Sequence, residues 1–388
     1  MSASTFAPPV VAWHGGDQGA DDPATPLVVL LHGRGSNERE IIGLAAHLAP
    51  GASYAAVRAP IAEGGGYAWF ANRGIGRPVA ESLAATMAWF RAWLDEVAPA
   101  GRPVVLAGFS GGAAFAGGLV LDDPARFAGA AILHGTVPWD AGVPTDTGRL
   151  AGLPVFVAQG DQDQVIPPEL LARTWGYLLT DSGAAPYARR DPGGHGLTAE
   201  TVAELGAWIS ERLAYLTRHG ATPVGLPASV AWPTLPGGTL PRREGPRPAV
   251  SWTIPQQQES DNAPAELQEA LFARMAGLPG VESGPSRISV PGARAVLAPD
   301  ATGPEEAFLV PSAREFAHLH PSYDGSLHVV LPLDLAADAV AKGWAQVHML
   351  AGIRLSPGFV LVYGPRTEAE VDVIAGIIEA SHRLALGG

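Results

Sequence analysis

Val104-Val105-Leu106-Ala107-Gly108-Phe109-Ser110-Gly111-Gly112-Ala113-Ala114-Phe115-Ala116-Gly117-Gly118-Leu119-Val120-Leu121 decides how the first half of this chain folds. Residues 103–107 form a short apolar run and are predicted as a buried strand. Residues 111–121 are small and apolar and are predicted as a helix. Between them, Gly108-Phe109-Ser110-Gly111-Gly112 fits G-x-S-x-G, the sharp turn that lifts a serine out of the end of a strand. The chain has 48 glycines, so the five-residue pattern alone carries little weight. The strand before it and the helix after it give it meaning. Glycines on either side of the serine let strand and helix approach closely, while the serine itself sits on a strained backbone.

Working outward, strands and helices alternate. Residues 27–31, 53–57, 128–133 and 154–158 are apolar runs predicted as strands. Residues 79–97 carry helical apolar spacing through Leu83, Met87, Phe90, Trp93, Leu94 and Val97, and residues 168–179 and 198–215 are predicted helices. This alternation implies an α/β domain over residues 1–217, a mostly parallel sheet with helices on both faces. Residues 218–244 hold five prolines, with Pro246 and Pro248 just beyond, and keep no hydrophobic period, which reads as a linker, either free or docked as an arm through Val230, Trp232 and Leu235. Residues 245–388 read as a smaller α+β domain. Its predicted helices are 265–276, 333–341 and 367–384. Its predicted strands are 288–296, 308–310 and 359–362, with 314–320 and 327–331 flanking a turn at Asp324-Gly325.

A serine nucleophile needs a base, and the base needs an acid to orient it. In α/β-hydrolases the chain order is serine, acid, histidine. Asp161 and Asp163 both follow the strand at 154–158. His195, in Gly193-Gly194-His195-Gly196, precedes the last hydrolase helix. His134 comes too early, and His219 lies beyond that helix. The developing oxyanion needs two N–H donors, expected from the backbones of Gly111 and of Arg34, in the loop His32-Gly33-Arg34-Gly35.

With these residues in place, Leu31-His32-Gly33-Arg34-Gly35-Ser36-Asn37-Glu38, Gly64-Gly65-Gly66-Tyr67-Ala68-Trp69-Phe70 and Gly108-Phe109-Ser110-Gly111-Gly112 resemble the bacterial phospholipase/carboxylesterase family of α/β-hydrolases, which includes acyl-protein thioesterase-like enzymes. The resemblance runs over about residues 8–215. It implies Ser110 as nucleophile, His195 as base and Asp163 as acid, since Asp163 stands two residues before Val165-Ile166-Pro167. Two positions depart from the family pattern: Gly111, where glutamine is usual, and Gln159-Gly160, where His-Gly is common. The implied substrates are carboxylic esters, with acyl thioesters and lysophospholipids as alternatives, and no cofactor is implied. Tyr67, Trp69 and Phe70 are candidates for an acyl groove, with core packing as their competing role.

In the second half, Pro255-Gln256-Gln257-Gln258, Asp261-Asn262-Ala263-Pro264, Arg314-Glu315-Phe316-Ala317-His318-Leu319-His320, Gly325-Ser326-Leu327-His328 and Val362-Tyr363-Gly364-Pro365-Arg366 resemble a small family of luciferase-like domains, over about residues 245–385. The family label carries no mechanism onto these residues. Glu315, His318, His320 and His328 are candidate metal ligands, set against a polar cleft for an organic acid or a peptide with Arg366 or Arg314 as counter-ion. His318 and His320 share a face of a strand. A two-residue turn at Asp324-Gly325 puts His328 on the other face, whereas a loop of odd length sets it opposite His320.

The formal charge of −13 argues against nucleic acid or an anionic membrane as partner. The absence of cysteine excludes thiolate chemistry and disulfides. Residues 1–10 lack a basic start and an apolar core, and no stretch nears the roughly 20 apolar residues of a membrane helix, so a cytoplasmic enzyme with a small-molecule ester substrate is expected. Oligomeric state is not legible. Two other classes stay open: a catalytically silent hydrolase scaffold used for binding, and a C-terminal domain that is itself the principal activity.

Overall fold

The computed structural model describes residues 6–15, 25–220 and 230–388. The chain divides into two units, Met1–Val224 and Gly225–Gly388.

Unit 1 is built on β1 (Val11–His14), β2 (Leu27–Leu31), β3 (Ser53–Val57), β4 (Val104–Phe109), β5 (Gly129–Leu133), β6 (Pro154–Gly160) and β7 (Ala185–Asp191). They form one sheet in the order β1-β3-β2-β4-β5-β6-β7. Every neighbouring pair is parallel except β1 with β3. The strands at its centre are buried on both faces, and Leu27-Val28-Val29-Leu30-Leu31 is at most 1% exposed along its whole length. That is why they read as unbroken apolar runs and not as alternation. Helices α1 (Ala80–Val97), α2 (Gly111–Asp122), α3 (Pro168–Gly176) and α4 (Ala199–His219) connect them. The apolar stripe of α1 is buried at Leu83, Met87, Phe90, Trp93 and Leu94.

The two edge strands, β1 and β7, were not legible. β1 is four residues long and only half buried. β7 reads Ala-Pro-Tyr-Ala-Arg-Arg-Asp: an edge tolerates Pro186, and Arg189 and Arg190 lie along its partly exposed side.

Glycines hold β2, β4 and α2 together. A Cβ on Gly108 would stand 2.1 Å from the Gly112 carbonyl oxygen, and one on Gly112 would stand 2.1 Å from the Leu31 carbonyl oxygen. Both obstacles are backbone, so neither can rotate away. Gly112→Ala is therefore expected to lower unfolding stability by about 3 kcal/mol, at the upper end of overpacking costs. A urea midpoint unchanged from wild type would contradict this packing.

Unit 2 holds α5 (Ala265–Ala276), β8 (Glu282–Pro285), β9 (Arg294–Leu297), β10 (Glu315–Leu319), β11 (Leu327–Val330), α6 (Leu333–Ala341), β12 (Ala345–Val347), β13 (Phe359–Val362) and α7 (Glu368–Leu386). The six strands form an antiparallel sheet in the order β8-β9-β10-β11-β13-β12. Helix α7 buries Val371, Ile374, Ile377 and Ile378, and its Ser381 hydroxyl donates to the Phe316 carbonyl of β10 at 3.3 Å. The run at 308–310 is not a strand: Val310 makes a single bridge to Glu315.

Residues 218–244 are not a linker throughout. Arg218 and His219 end α4, residues 221–229 lie outside the described residues, and residues 230–244 pack on unit 2. Trp232 is fully buried and its indole N–H donates to Asp338 at 2.8 Å. Leu235 and Leu240 of the same segment are also buried. Proline-rich composition suppressed the helical and strand signals, but an extended segment with apolar anchors still buries them.

Candidate active site

In a parallel sheet the residues that do chemistry gather beyond the C-terminal ends of the strands. Four such ends meet here. β2 leads into His32-Gly33-Arg34-Gly35, β4 into Ser110, β6 into Asp163 and β7 into His195.

Ser110 has φ 55° and ψ −114°, in the left-handed half of backbone space that a non-glycine residue occupies only under constraint. The turn is held on both sides: the Ser110 N–H donates to the Leu133 carbonyl at 2.9 Å, and its own carbonyl accepts from Ala113 at 3.0 Å. The hydroxyl lies 2.8 Å from His195 Nε2. On the other side of the ring, His195 Nδ1 lies 2.8 Å from Asp163 Oδ2. The second Asp163 oxygen accepts from the N–H groups of Val165 at 2.8 Å and Ile166 at 3.0 Å. Burial alone would raise the Asp163 pKa. The hydrogen bonds from His195 and from the two N–H groups outweigh it, so the carboxyl titrates below its ordinary value.

The loops carrying acid and base are tied to each other by main chain. Gln162 N–H donates to the Gly193 carbonyl at 3.0 Å, and Asp161 N–H to the Asp191 carbonyl at 2.8 Å. A Cβ on Gly160 would stand 2.2 Å from the Gly194 oxygen, so the two loops could not close with a larger residue there. Asp161, the competing acid, has a side chain 58% exposed and meets Arg190 at 3.8 Å. It touches no member of the Ser110–His195–Asp163 set.

Arg34 and Gly111 also converge. A Cβ on Gly111 would lie 3.3 Å from the Arg34 nitrogen. Neither N–H forms a backbone hydrogen bond among the described residues. The Arg34 guanidinium is turned to Glu63, with which it pairs at the surface. The loop is anchored from below by Glu38, which is 2% exposed and accepts from Arg58 Nε at 2.8 Å and Nη2 at 2.6 Å. The Arg58 hydrogen bond holds the Glu38 pKa below its ordinary value. A depressed folded pKa means stability that is present above the unfolded carboxyl pKa and lost as pH falls through the folded one. Glu38→Gln is expected to cost about 1 kcal/mol at pH 6 and less as the pH falls below the ordinary carboxyl range. A loss that does not change with pH would show that the charge plays no part.

A cleft of about 620 Å³ opens at Ser110. Its apolar wall includes Leu44, Phe70, Ile75, Phe109, Ile166 and Leu197. Of the three aromatic residues expected to line a groove, only Phe70 does so. Trp69 is 1% exposed, stacks on Phe115 at 4.4 Å between ring centroids and donates to the His32 carbonyl, so it is core. Tyr67 is half-buried under the Arg58 guanidinium, away from the cleft lining. Gln159 is buried with its amide N–H on the Leu171 carbonyl at 3.0 Å and reaches no triad atom.

His134, set aside in the sequence as too early to be the base, lies beside the site. It is fully buried with φ 45°, sits edge-on to His195 at 6.4 Å, and faces Asp191 at 3.3 Å. Burial holds its pKa below the ordinary histidine value despite Asp191. No local pattern signals it, because its relation to His195 exists only once β5 and β7 are assembled.

In unit 2, Leu319 pairs with Leu327 and His318 with His328. The connection is odd in length, so His318, His320 and His328 share one face, but His318 and not His320 is opposite His328. All three are 5% exposed or less, and one ring nitrogen of each lies within 4.8 Å of those of the other two. Glu315 is not among them: it accepts from His318 Nδ1 at 2.9 Å. His348, beyond β12, was not anticipated. Its ring is 5.4 Å from that of His328, and burial pushes its pKa down to about 4.

The comparisons with known proteins agree with this division. Residues 18–185 match the family described as Phospholipase/Carboxylesterase, and residues 313–381 match the Luciferase domain family. The Bacillus subtilis (strain 168) protein named "Putative hydrolase MhqD" is 30% identical over 192 residues, 48% of this chain and 94% of its own length. The luciferase of Armillaria mellea is 33% identical over 165 residues, 37% of this chain, and this chain spans 59% of that protein's length. The crystal structure of the Bacillus cereus carboxylesterase is 26% identical, covers 52% of this chain and 92% of its own, and superposes with a TM-score of 0.44. The chain is an ester-hydrolysing enzyme of α/β-hydrolase fold. It belongs to the phospholipase/carboxylesterase family through its N-terminal part and carries a luciferase-family domain after it. Among the described residues, no helix is long and apolar enough to cross a membrane.

Proposed function

We propose that unit 1 is a serine esterase that cleaves carboxylic esters through an acyl-enzyme on Ser110. The observation that carries this reading is the unbroken relay Ser110 Oγ, His195, Asp163, with both contacts at 2.8 Å. Ser110 Oγ attacks the ester carbonyl while His195 Nε2 takes its proton. The carbonyl oxygen becomes an oxyanion and is received by the N–H groups of Arg34 and Gly111. His195 then returns the proton to the leaving alkoxide, which departs as an alcohol. Water, deprotonated by the same imidazole, attacks the acyl-enzyme and releases the acid. Asp163 holds the His195 tautomer that keeps Nε2 free to accept, and it stabilises the imidazolium. The apolar wall at Leu44, Phe70, Ile75 and Leu197 favours an acyl or aryl group of modest size. In this reading the substrate is a small-molecule ester, with acyl thioesters and lysophospholipids as alternative classes, and the enzyme works in the cytoplasm.

The test is fluorophosphonate labelling combined with a series of p-nitrophenyl esters of increasing acyl length. Stoichiometric labelling and hydrolysis of at least one ester are expected. A folded wild-type protein that neither labels nor hydrolyses any of them would make unit 1 a silent scaffold.

A further inference from the structure

We propose that His318, His320 and His328 of unit 2 form a three-histidine binding site for a divalent first-row transition-metal ion, with Glu315 and Asp324 as its outer carboxylates.

The argument is one of proton placement. A carboxylate can only accept, so His318 Nδ1, 2.9 Å from Glu315, must carry a hydrogen, and His318 Nε2 is left with a lone pair. The same holds at His320, whose Nδ1 lies 2.8 Å from Asp324 Oδ2, and its Nε2 is the free nitrogen. His328 is fixed by an amide. Gln256 Nε2 donates to the Val347 carbonyl at 3.4 Å, which turns Gln256 Oε1 towards His328 Nε2 at 3.2 Å. An amide oxygen only accepts, so His328 Nε2 carries the hydrogen and Nδ1 is the free nitrogen. His318 Nε2 and His328 Nδ1 are 3.1 Å apart, each with a lone pair and no proton between them. His320 Nε2 has no hydrogen-bond partner among the described residues. Three unprotonated imidazole nitrogens on one face of one sheet are an arrangement that a cation completes.

Charge points the same way. The side chains of Glu315 and Asp324 are at most 1% exposed, and neither pairs with lysine or arginine among the described residues. Among the described residues their hydrogen-bond partners are hydroxyls, backbone N–H groups and imidazoles: the Ser286 hydroxyl, Arg287 N–H and His318 for Glu315, and the Ser326 hydroxyl and N–H and His320 for Asp324. Two buried carboxylates without a counter-charge are costly. One divalent ion on the histidines they orient balances both. Carboxylate–histidine–metal chains of this kind are the usual outer shell of a metal site. Nitrogen donors select borderline ions such as zinc or iron(II) over magnesium or calcium. His348 is not a fourth ligand through Nδ1, which accepts from Leu350 N–H at 3.1 Å. Three protein ligands leave at least one coordination position for water or an exogenous ligand, the pattern of an open site and not of a closed structural one.

The test uses the full chain, stripped with chelator, reloaded separately with zinc, cobalt(II) and anaerobic iron(II), and desalted. One equivalent of at least one ion is expected to remain, and cobalt(II) should give visible d–d absorption. His318→Ala and His328→Gln should each lose stoichiometric retention, and Glu315→Gln should bind about 10- to 100-fold more weakly. Ser110→Ala should bind as wild type does, which keeps this result separate from the esterase reading. Circular dichroism identifies folded variants, and if His318→Ala does not fold, His328→Gln and Glu315→Gln carry the comparison. Less than a tenth of an equivalent retained by folded wild type for all three ions overturns the site. Retention by the folded histidine variants equal to wild type overturns it as well.

Discussion

Ser110→Ala is expected to lower kcat for ester hydrolysis by about 10⁶ and to abolish fluorophosphonate labelling, while leaving the unfolding midpoint close to wild type. The size follows from the geometry. With the hydroxyl gone, His195 Nε2 faces a methyl group and no covalent intermediate can form. What remains is binding in the cleft and the two N–H donors at Arg34 and Gly111, which support a residual acceleration of about 10³–10⁴ over water. Alanine at position 110 keeps the strained turn, because the hydrogen bonds that hold it are made by the backbone. Steady-state kinetics with a p-nitrophenyl ester checks the rate. A variant within tenfold of wild type would place the nucleophile elsewhere.

Asp163→Asn is expected to lower kcat by about 10⁴, by analogy with the same change in other triads. An amide at this position can present its NH₂ to His195 Nδ1, which forces the proton to Nε2 and removes the lone pair that must accept from Ser110. It also removes the negative charge that stabilises the imidazolium. KM should change little, because Asp163 is absent from the cleft wall. Asp161→Asn is the control. Its side chain is largely exposed and its ion pair with Arg190 is long at 3.8 Å, so a change within about threefold is expected. A larger loss in Asp161→Asn than in Asp163→Asn would exchange their roles.

Much of this was legible because it rests on short-range rules. The central strands declare themselves as apolar runs since both faces are buried. The elbow at Ser110 is recognisable because glycine at 108 and 112 is the only residue the close backbone contacts allow. Order along the chain pointed to His195 and left Asp161 and Asp163 both open, the family resemblance favoured Asp163, and the parallel sheet brings Asp163 and His195 together at the strand ends. Other features depend on what happens across space. β7 hides its strand character behind Arg189 and Arg190, whose charges are answered by Asp191, Glu204 and Asp161. Tyr67 and Trp69 read as groove residues, yet only the packing against Phe115 and under Arg58 decides that they are not. The face of His328 hung on loop parity, and no local residue preference fixes whether a turn spans two residues or seven. His348 and Gln256 come from segments distant in sequence and join the histidines only through the sheet.

The glycine contacts at 33, 108, 112 and 160 divide the hydrolase's labour between two kinds of atom. A Cβ on Gly33 would lie 3.1 Å from the Phe109 ring, and the other three would strike main chain. At Gly108, Gly112 and Gly160 the candidate triad is therefore located by backbone pressed against backbone, whereas the cleft is shaped by side chains at Leu44, Phe70, Ile75 and Leu197 that belong to no triad contact. Single side-chain changes in this cleft wall would leave the alignment of Ser110, His195 and Asp163 undisturbed. Under the proposed mechanism, such changes would alter what is cleaved and leave how it is cleaved unchanged.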